Sequence, residues 1–318
     1  MLTIGSQTYN LIVDTGSSTT WVGAGLQYKP SPVGRFTGNI SGVLYGSGGY
    51  IGVEAIDTVS LGNGITVSSQ SIGAASFSLG LGGFDGILGL GPVDLTKGTV
   101  VSVDSIITQT WSNRTVPTFT NNLVSEGVIS QDIVGAYFQP LHGSNASEAD
   151  GEITFGGFDS SKFTGDLTYF PRLTSGNLSA YWSIAVEEVK YGTVAIGTGL
   201  TAMVDTGTDV ILLPTSVFSA FMKTSGGFND RINNIAVFST KPTSNFEITL
   251  GQTTYTLTPD QYLLPMAQYS NFGLDTDKYY AWFADSGSST FILGQKFLEY
   301  YYSVYDTSNS RVGLAKAV

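Results

Sequence analysis

Leu11-Ile12-Val13-Asp14-Thr15-Gly16-Ser17-Ser18 runs an apolar strand straight into an acid, a hydroxyl and a glycine. The same order returns in the other half of the chain as Ala202-Met203-Val204-Asp205-Thr206-Gly207-Thr208. A single Asp-Thr-Gly is ordinarily a capped turn without chemistry, because Asp and Gly both favour turns. Two copies, each behind an apolar run and each followed by a second hydroxyl, need another explanation. Each copy is also followed downstream by Ile-Leu-Gly, at Ile87-Leu88-Gly89 and Ile292-Leu293-Gly294. The ordered pair of motifs reads as duplication of a whole lobe.

Composition narrows the chemistry. With 318 residues and 42% hydrophobic content the chain is long enough for two cores, and halves of 1–170 and 171–318 are expected. Forty glycines and only 12% charged residues suit many short strands joined by tight turns, an all-β class. There is no cysteine, and His142 is the one histidine, so a cysteine nucleophile, a Cys/His zinc site and a multi-histidine cluster are excluded. His142 lies in Pro140-Leu141-His142-Gly143-Ser144-Asn145, which reads as a loop. Carboxylates remain for acid-base work, and no metal or cofactor is expected. A net charge of −11 argues against a nucleic-acid partner, and no apolar stretch has the length of a membrane span. Excess carboxylates repel one another more as pH rises, so a protein suited to acid is expected.

Along the chain, Thr3 to Tyr9 reads as the second half of a hairpin with no preceding strand to pair it. Gly42 to Glu54 alternates around Tyr45-Gly46-Ser47-Gly48-Gly49, a hairpin with a glycine-rich tip. Thr120 to Gly127 reads as a short helix ended by glycine, and a second helix is expected to start with Thr215 as its N-cap. Phe246 to Leu257 reads as a hairpin turning at Gly251-Gln252.

The two Asp-Thr-Gly stretches, Trp21, Tyr45-Gly46-Ser47-Gly48, Phe84-Asp85-Gly86-Ile87-Leu88-Gly89, Gly91-Pro92-Val93-Asp94-Leu95-Thr96 and Tyr302-Ser303-Val304-Tyr305-Asp306 together resemble the pepsin-like aspartic endopeptidases over nearly the whole chain. The texture is closest to the cysteine-free secreted fungal enzymes of polyporopepsin type. The resemblance implies a bilobal fold with pseudo-twofold related lobes and a cleft for an extended peptide. It also implies secretion of a monomeric, zymogen-derived glycoprotein acting on peptides or unfolded proteins. In the family a signal peptide, a pro-segment and a first strand precede the position of Thr3. An internal start at Met1, with an open sheet edge, is therefore expected. Four Asn-x-Ser/Thr sequons, at Asn39, Asn113, Asn145 and Asn177, permit N-glycans.

Two carboxylates brought together cannot both ionise cheaply, so Asp14 and Asp205 would share one proton and supply a base and an acid to a single water. Gly16 and Gly207 would allow close approach, and Ser17 and Thr208 would hydrogen-bond the outer carboxylate oxygens. By resemblance, Thr15 and Thr206 cross-link the two turns, Ile12 and Ile87 line the pocket before the scissile bond, and Trp21 supports Tyr45 on a mobile flap. Trp21 and Tyr45 also have ordinary readings, as a core aromatic and a cross-strand aromatic. Asp209 departs from the family, which places a small hydroxyl there; it would raise the pKa of the acid pair, favour a basic substrate side chain, or turn away into a hydrogen bond. Rival readings are a catalytically silent relative that binds proteins and a secreted carbohydrate-binding β-protein.

Overall fold

A computed structural model describes residues 1–108, 114–140 and 151–318. His142 and the sequons Asn113 and Asn145 lie outside these residues. The chain separates into two compact units, Met1–Val134 with Phe155–Gly157, and Gly135–Thr154 with Phe158–Val318. Strands dominate both, as the glycine-rich, weakly charged composition leads one to expect.

In the first unit the strand Leu11–Asp14 lies parallel to Gly86–Gly89, with Ile12 opposite Ile87 and Asp14 opposite Gly89. Trp21–Val22 runs antiparallel on the other side of Gly86–Gly89, and parallel to Ile65–Leu79. The sheet continues through a long hairpin, Gly49–Gly62 paired with Ile65–Leu79, and through Arg35–Leu44 on the far side of Gly49–Gly62. Glu54 and Asp57 are buried on Gly49–Gly62, and each is tied down by donors. Glu54 accepts from Thr37 Oγ1, Asn39 Nδ2 and Ser71 Oγ. Asp57 accepts from Tyr28 Oη, from Ser31 N and Oγ, and from Thr58 N. Buried carboxylates persist only with such partners.

The second unit repeats this arrangement. Val194–Val204 lies parallel to Ile292–Leu293, Ile211–Leu213 runs antiparallel on the other side of that strand, and Phe283–Asp285 lies parallel to Ile211–Leu213. The four-strand pattern is the same in direction and order, so the duplicated motifs do mark duplicated structure. Helix Thr215–Ser225 packs Val217, Phe218 and Phe221 inward and ends at Gly226, whose φ of 73° a side chain would strain. Phe221 meets Tyr191, Phe246 and Phe283 at ring separations of 5.1, 5.7 and 4.9 Å, which anchors the helix on the sheet.

Several readings shift in detail. Thr215 is the first helical residue rather than the N-cap; Pro214 holds that place, and Thr215 Oγ1 donates to Asp285 Oδ1 at 2.7 Å. Leu2–Ile4 and Gln7–Tyr9 pair with each other around Gly5, and Leu2–Ile4 also pairs with Gly49–Gly62, so the opening stretch makes its own hairpin. Phe163–Pro171 pairs antiparallel with the strand Arg311–Ala317 inside the second compact unit. The hairpin Phe246–Leu257 stands where the sequence places it, and the helix expected over Thr120 to Gly127 runs Phe119–Ser125, capped by Thr118.

Candidate active site

Each Asp-Thr-Gly turn sits where an apolar strand ends. Asp14 is 7% exposed; its Oδ1 accepts from Gly16 N at 2.8 Å and its Oδ2 from Ser17 Oγ at 2.5 Å. Asp205 is 5% exposed; its Oδ1 accepts from Gly207 N at 2.8 Å and its Oδ2 from Thr208 Oγ1 at 2.7 Å. The two carboxylates thus have the same donor set at the same chain offsets. The hydroxyls act on the second oxygen as the sequence suggests. The glycines do more than leave room, since their N–H groups hold the first oxygen.

The Ile-Leu-Gly strands explain why that tripeptide recurs. A Cβ on Gly89 would lie 2.5 Å from Ser18 C and 2.6 Å from Thr19 N, and one on Gly294 would strike Thr208 O and Val210 O. Both glycines let the strand pass directly beneath the acid turn. Main-chain bonds then pin the turns: Leu90 N donates to Asp14 O at 2.7 Å and Gly91 N to Ser17 O at 2.7 Å. In the second unit Asp205 N donates to Leu293 O at 3.1 Å and Gln295 N to Thr208 O at 2.7 Å. Gln295 adds a side-chain brace, Nε2 to Thr206 O at 2.8 Å, which sequence reading missed although Gln295 directly follows the repeated tripeptide. Thr15 and Thr206 are fully buried.

Tyr45 is half-buried at the tip of the hairpin formed by Arg35–Leu44 and Gly49–Gly62, where its N donates to Gly48 O at 2.7 Å. Gly46 and Ser47 at the tip are exposed, and a Cβ on Gly48 would strike Leu79 O. Trp21 is fully buried; its Nε1 donates to Tyr45 Oη at 2.9 Å, and its ring stacks on Tyr50 at 4.4 Å and 17°. Ile87 belongs to the same cluster, and Ile12 and Tyr45 pack against it. Burial, then the negative charges Tyr50 and Asp14 would bring, push the Tyr45 hydroxyl well up, with hydrogen bonds to Ser17 and Trp21 opposing. Tyr45 therefore stays protonated and can donate. Asp209 stands exposed just past the second turn, and the protein around it, then Asp205, raise its carboxyl. Among the sequons, Asn39 has its amide nitrogen on Glu54 Oε2 at 2.9 Å, while Asn177 is exposed.

Paired acid turns of matching geometry, each on a repeated strand unit, define an aspartic-type peptidase. The family model of the eukaryotic aspartyl proteases matches residues 1–317, and the chain belongs to that family. It is 38% identical to polyporopepsin of Irpex lacteus, over 97% of this chain and 90% of that protein. It is 31% identical to gastricsin of Macaca fuscata fuscata, over 99% of this chain and 82% of that one. The crystal structure of the aspartic proteinase from Irpex lacteus superposes with a TM-score of 0.90 at 37% identity, covering 99% of this chain and 93% of that chain. The fold is the all-β, pepsin-like one, and the chain is an aspartic-type endopeptidase of a family with acid activity.

Proposed function

We propose that the protein is a secreted acid endopeptidase in which Asp14 and Asp205 act as a pair on one water. The observation that carries this reading is the identical donor set around the two carboxylates, which leaves each acid fixed in its turn. One carboxylate takes a proton from the water, whose oxygen attacks the peptide carbonyl carbon. The other, protonated, gives its proton to the developing oxyanion. Proton return to the amide nitrogen then accompanies cleavage of the C–N bond. Thr15 and Thr206 join the two turns, and Tyr45, donating and backed by Trp21, closes over the substrate. Ile12 and Ile87 favour a large apolar residue before the scissile bond. The substrate is a peptide or unfolded protein, and the enzyme works as a monomer without nucleic acid or membrane. Asn177 is the described sequon most open to a glycan, and release from a precursor fits the family.

The test is cleavage of a denatured protein at acid pH by the parent and by Asp14→Asn, with and without a statine-type inhibitor. Inhibitor-sensitive cleavage that disappears in Asp14→Asn is the expected result. Cleavage that persists in the variant, or a folded parent that binds peptide without cutting it, would overturn the mechanism and favour a silent peptide-binding relative.

A further inference from the structure

Ser18 and Asp209 occupy the same place in the internal repeat, one residue after the hydroxyl that holds the aspartate. Ser18 is buried, and its Oγ donates to Pro92 O at 2.7 Å. Asp209 is exposed, and its carboxylate has neither a hydrogen-bond nor an ion-pair partner among the described residues. Its main chain is nonetheless held, because Lys296 N donates to Asp209 O at 3.1 Å. The Lys296 ammonium does not answer the charge; it is buried and paired with Glu299 Oε2 at 2.6 Å.

An acid placed beside another acid is repelled, and the serine in the other copy shows that the turn itself needs no acid. Solvent-facing, on a held main chain and unanswered by any cation among the described residues, this carboxylate is complementary to a cation that arrives from outside. We propose that Asp209 is a specificity-determining residue that pairs with the ammonium or guanidinium of a Lys or Arg side chain on the peptide being cleaved. This rests on the endopeptidase reading above and names a substrate class for the same site. The pairing requires the ionised carboxylate. Because the surrounding protein and Asp205 raise the Asp209 carboxyl, it is neutral in strong acid and becomes an anion as pH rises. Asp205 is the charged group acting on it, and Lys296 on the helix packed against this turn remains committed to Glu299.

The experiment uses peptide pairs carrying lysine or norleucine at each position around the scissile bond in turn. The ratio of kcat/KM within each pair is followed from about pH 3 to about pH 6, where a lysine stays charged throughout. Parent, Asp209→Asn and Asp209→Ser are compared, with the statine-type inhibitor as control. At one position the lysine-to-norleucine ratio should rise about fivefold with pH in the parent and stay flat in both variants. Titration of the catalytic pair acts on both peptides of a pair and cancels in the ratio. A parent ratio flat with pH at every position, or an equal rise in the variants, overturns the proposal and leaves the endopeptidase reading standing. Absence of inhibitor-sensitive cleavage of every peptide overturns both. The parent's own pH trend decides the matter even where a variant fails to fold.

Discussion

A hydroxyl 2.5 Å from Asp14 Oδ2 and another 2.7 Å from Asp205 Oδ2 fix each carboxylate against rotation. Ser17→Ala removes one such bond, worth about 1.5 to 3 kcal/mol to a charged acceptor, so kcat should fall about tenfold or more with little change in KM. Steady-state kinetics on one peptide checks this, and a kcat within twofold of the parent would refute it. The glycines beneath the turns are a harder constraint. Gly89→Ala and Gly294→Ala each drive a methyl into the backbone of the acid turn, and each should cost about 2 to 3 kcal/mol in denaturant unfolding. At this scale the sequence is unequally legible. Asp14, Ser17, Asp205 and Thr208 are readable because the same residue types recur in the same order in both halves of the sequence. Gln295 is not, because its contribution is one amide reaching a carbonyl, and a single amide leaves no pattern.

At the scale of the element, the hairpin that carries Tyr45 is tied to the core through Trp21, and Tyr50 stacks on the same indole. Tyr50 has its own hydroxyl on Ser41 at 2.7 Å, and Gly73 leaves space for its ring. A cycle of Trp21→Phe, Tyr45→Phe and the double variant, read as kcat/KM, should show coupling of about 1 kcal/mol; additive losses would mean the bond does not set the hairpin. Asp57 ties the segment Tyr28 to Ser31 onto the strand Gly49–Gly62. Burial alone would raise its carboxyl, but donors from Ser31, Tyr28 and Thr58 outweigh burial and bring it below the ordinary 3.8. A depressed carboxyl contributes stability above 3.8 that is lost as pH falls through its folded value. The stability gap between the parent and Asp57→Asn, measured by urea unfolding, should therefore be widest near neutrality and close in strong acid. Strand alternation announced the Gly49–Gly62 element, yet the burial of Glu54 and Asp57 within it was not legible. Their donors, such as Tyr28, Ser31, Asn39 and Ser71, come from other segments that only the folded chain brings near.

For the whole molecule, 25 acidic against 14 basic residues leave a net charge of −11 at pH 7. Protonating the unpaired carboxylates relieves that repulsion. Asp209, whose raised carboxyl takes up its proton more readily in the folded state, adds stability as pH falls through its folded value. Thermal melts should give a higher Tm near about pH 4 than at pH 7, with a decline once pH drops far enough to protonate Asp57. A higher Tm at neutral pH would refute the expectation. The duplication is the part of the fold most legible in the sequence, because two motifs recur in order. The pairing of Phe163–Pro171 with Arg311–Ala317 is less so, since it joins strands far apart in the chain.

The brace from Gln295 to Thr206 spans 89 positions, and the bond from Ser18 to Pro92 spans 74. A ribosome releases the chain from its N-terminus, so Asp205 emerges long before Leu293 and Gln295, the residues that complete its turn. The second acid is thus unbraced until Leu293 and Gln295 have been made, and such long-range pairing forms slowly. A growing chain of this protein can have every residue that pins its first acid turn and still lack those that pin the second, so the two turns mature at different times.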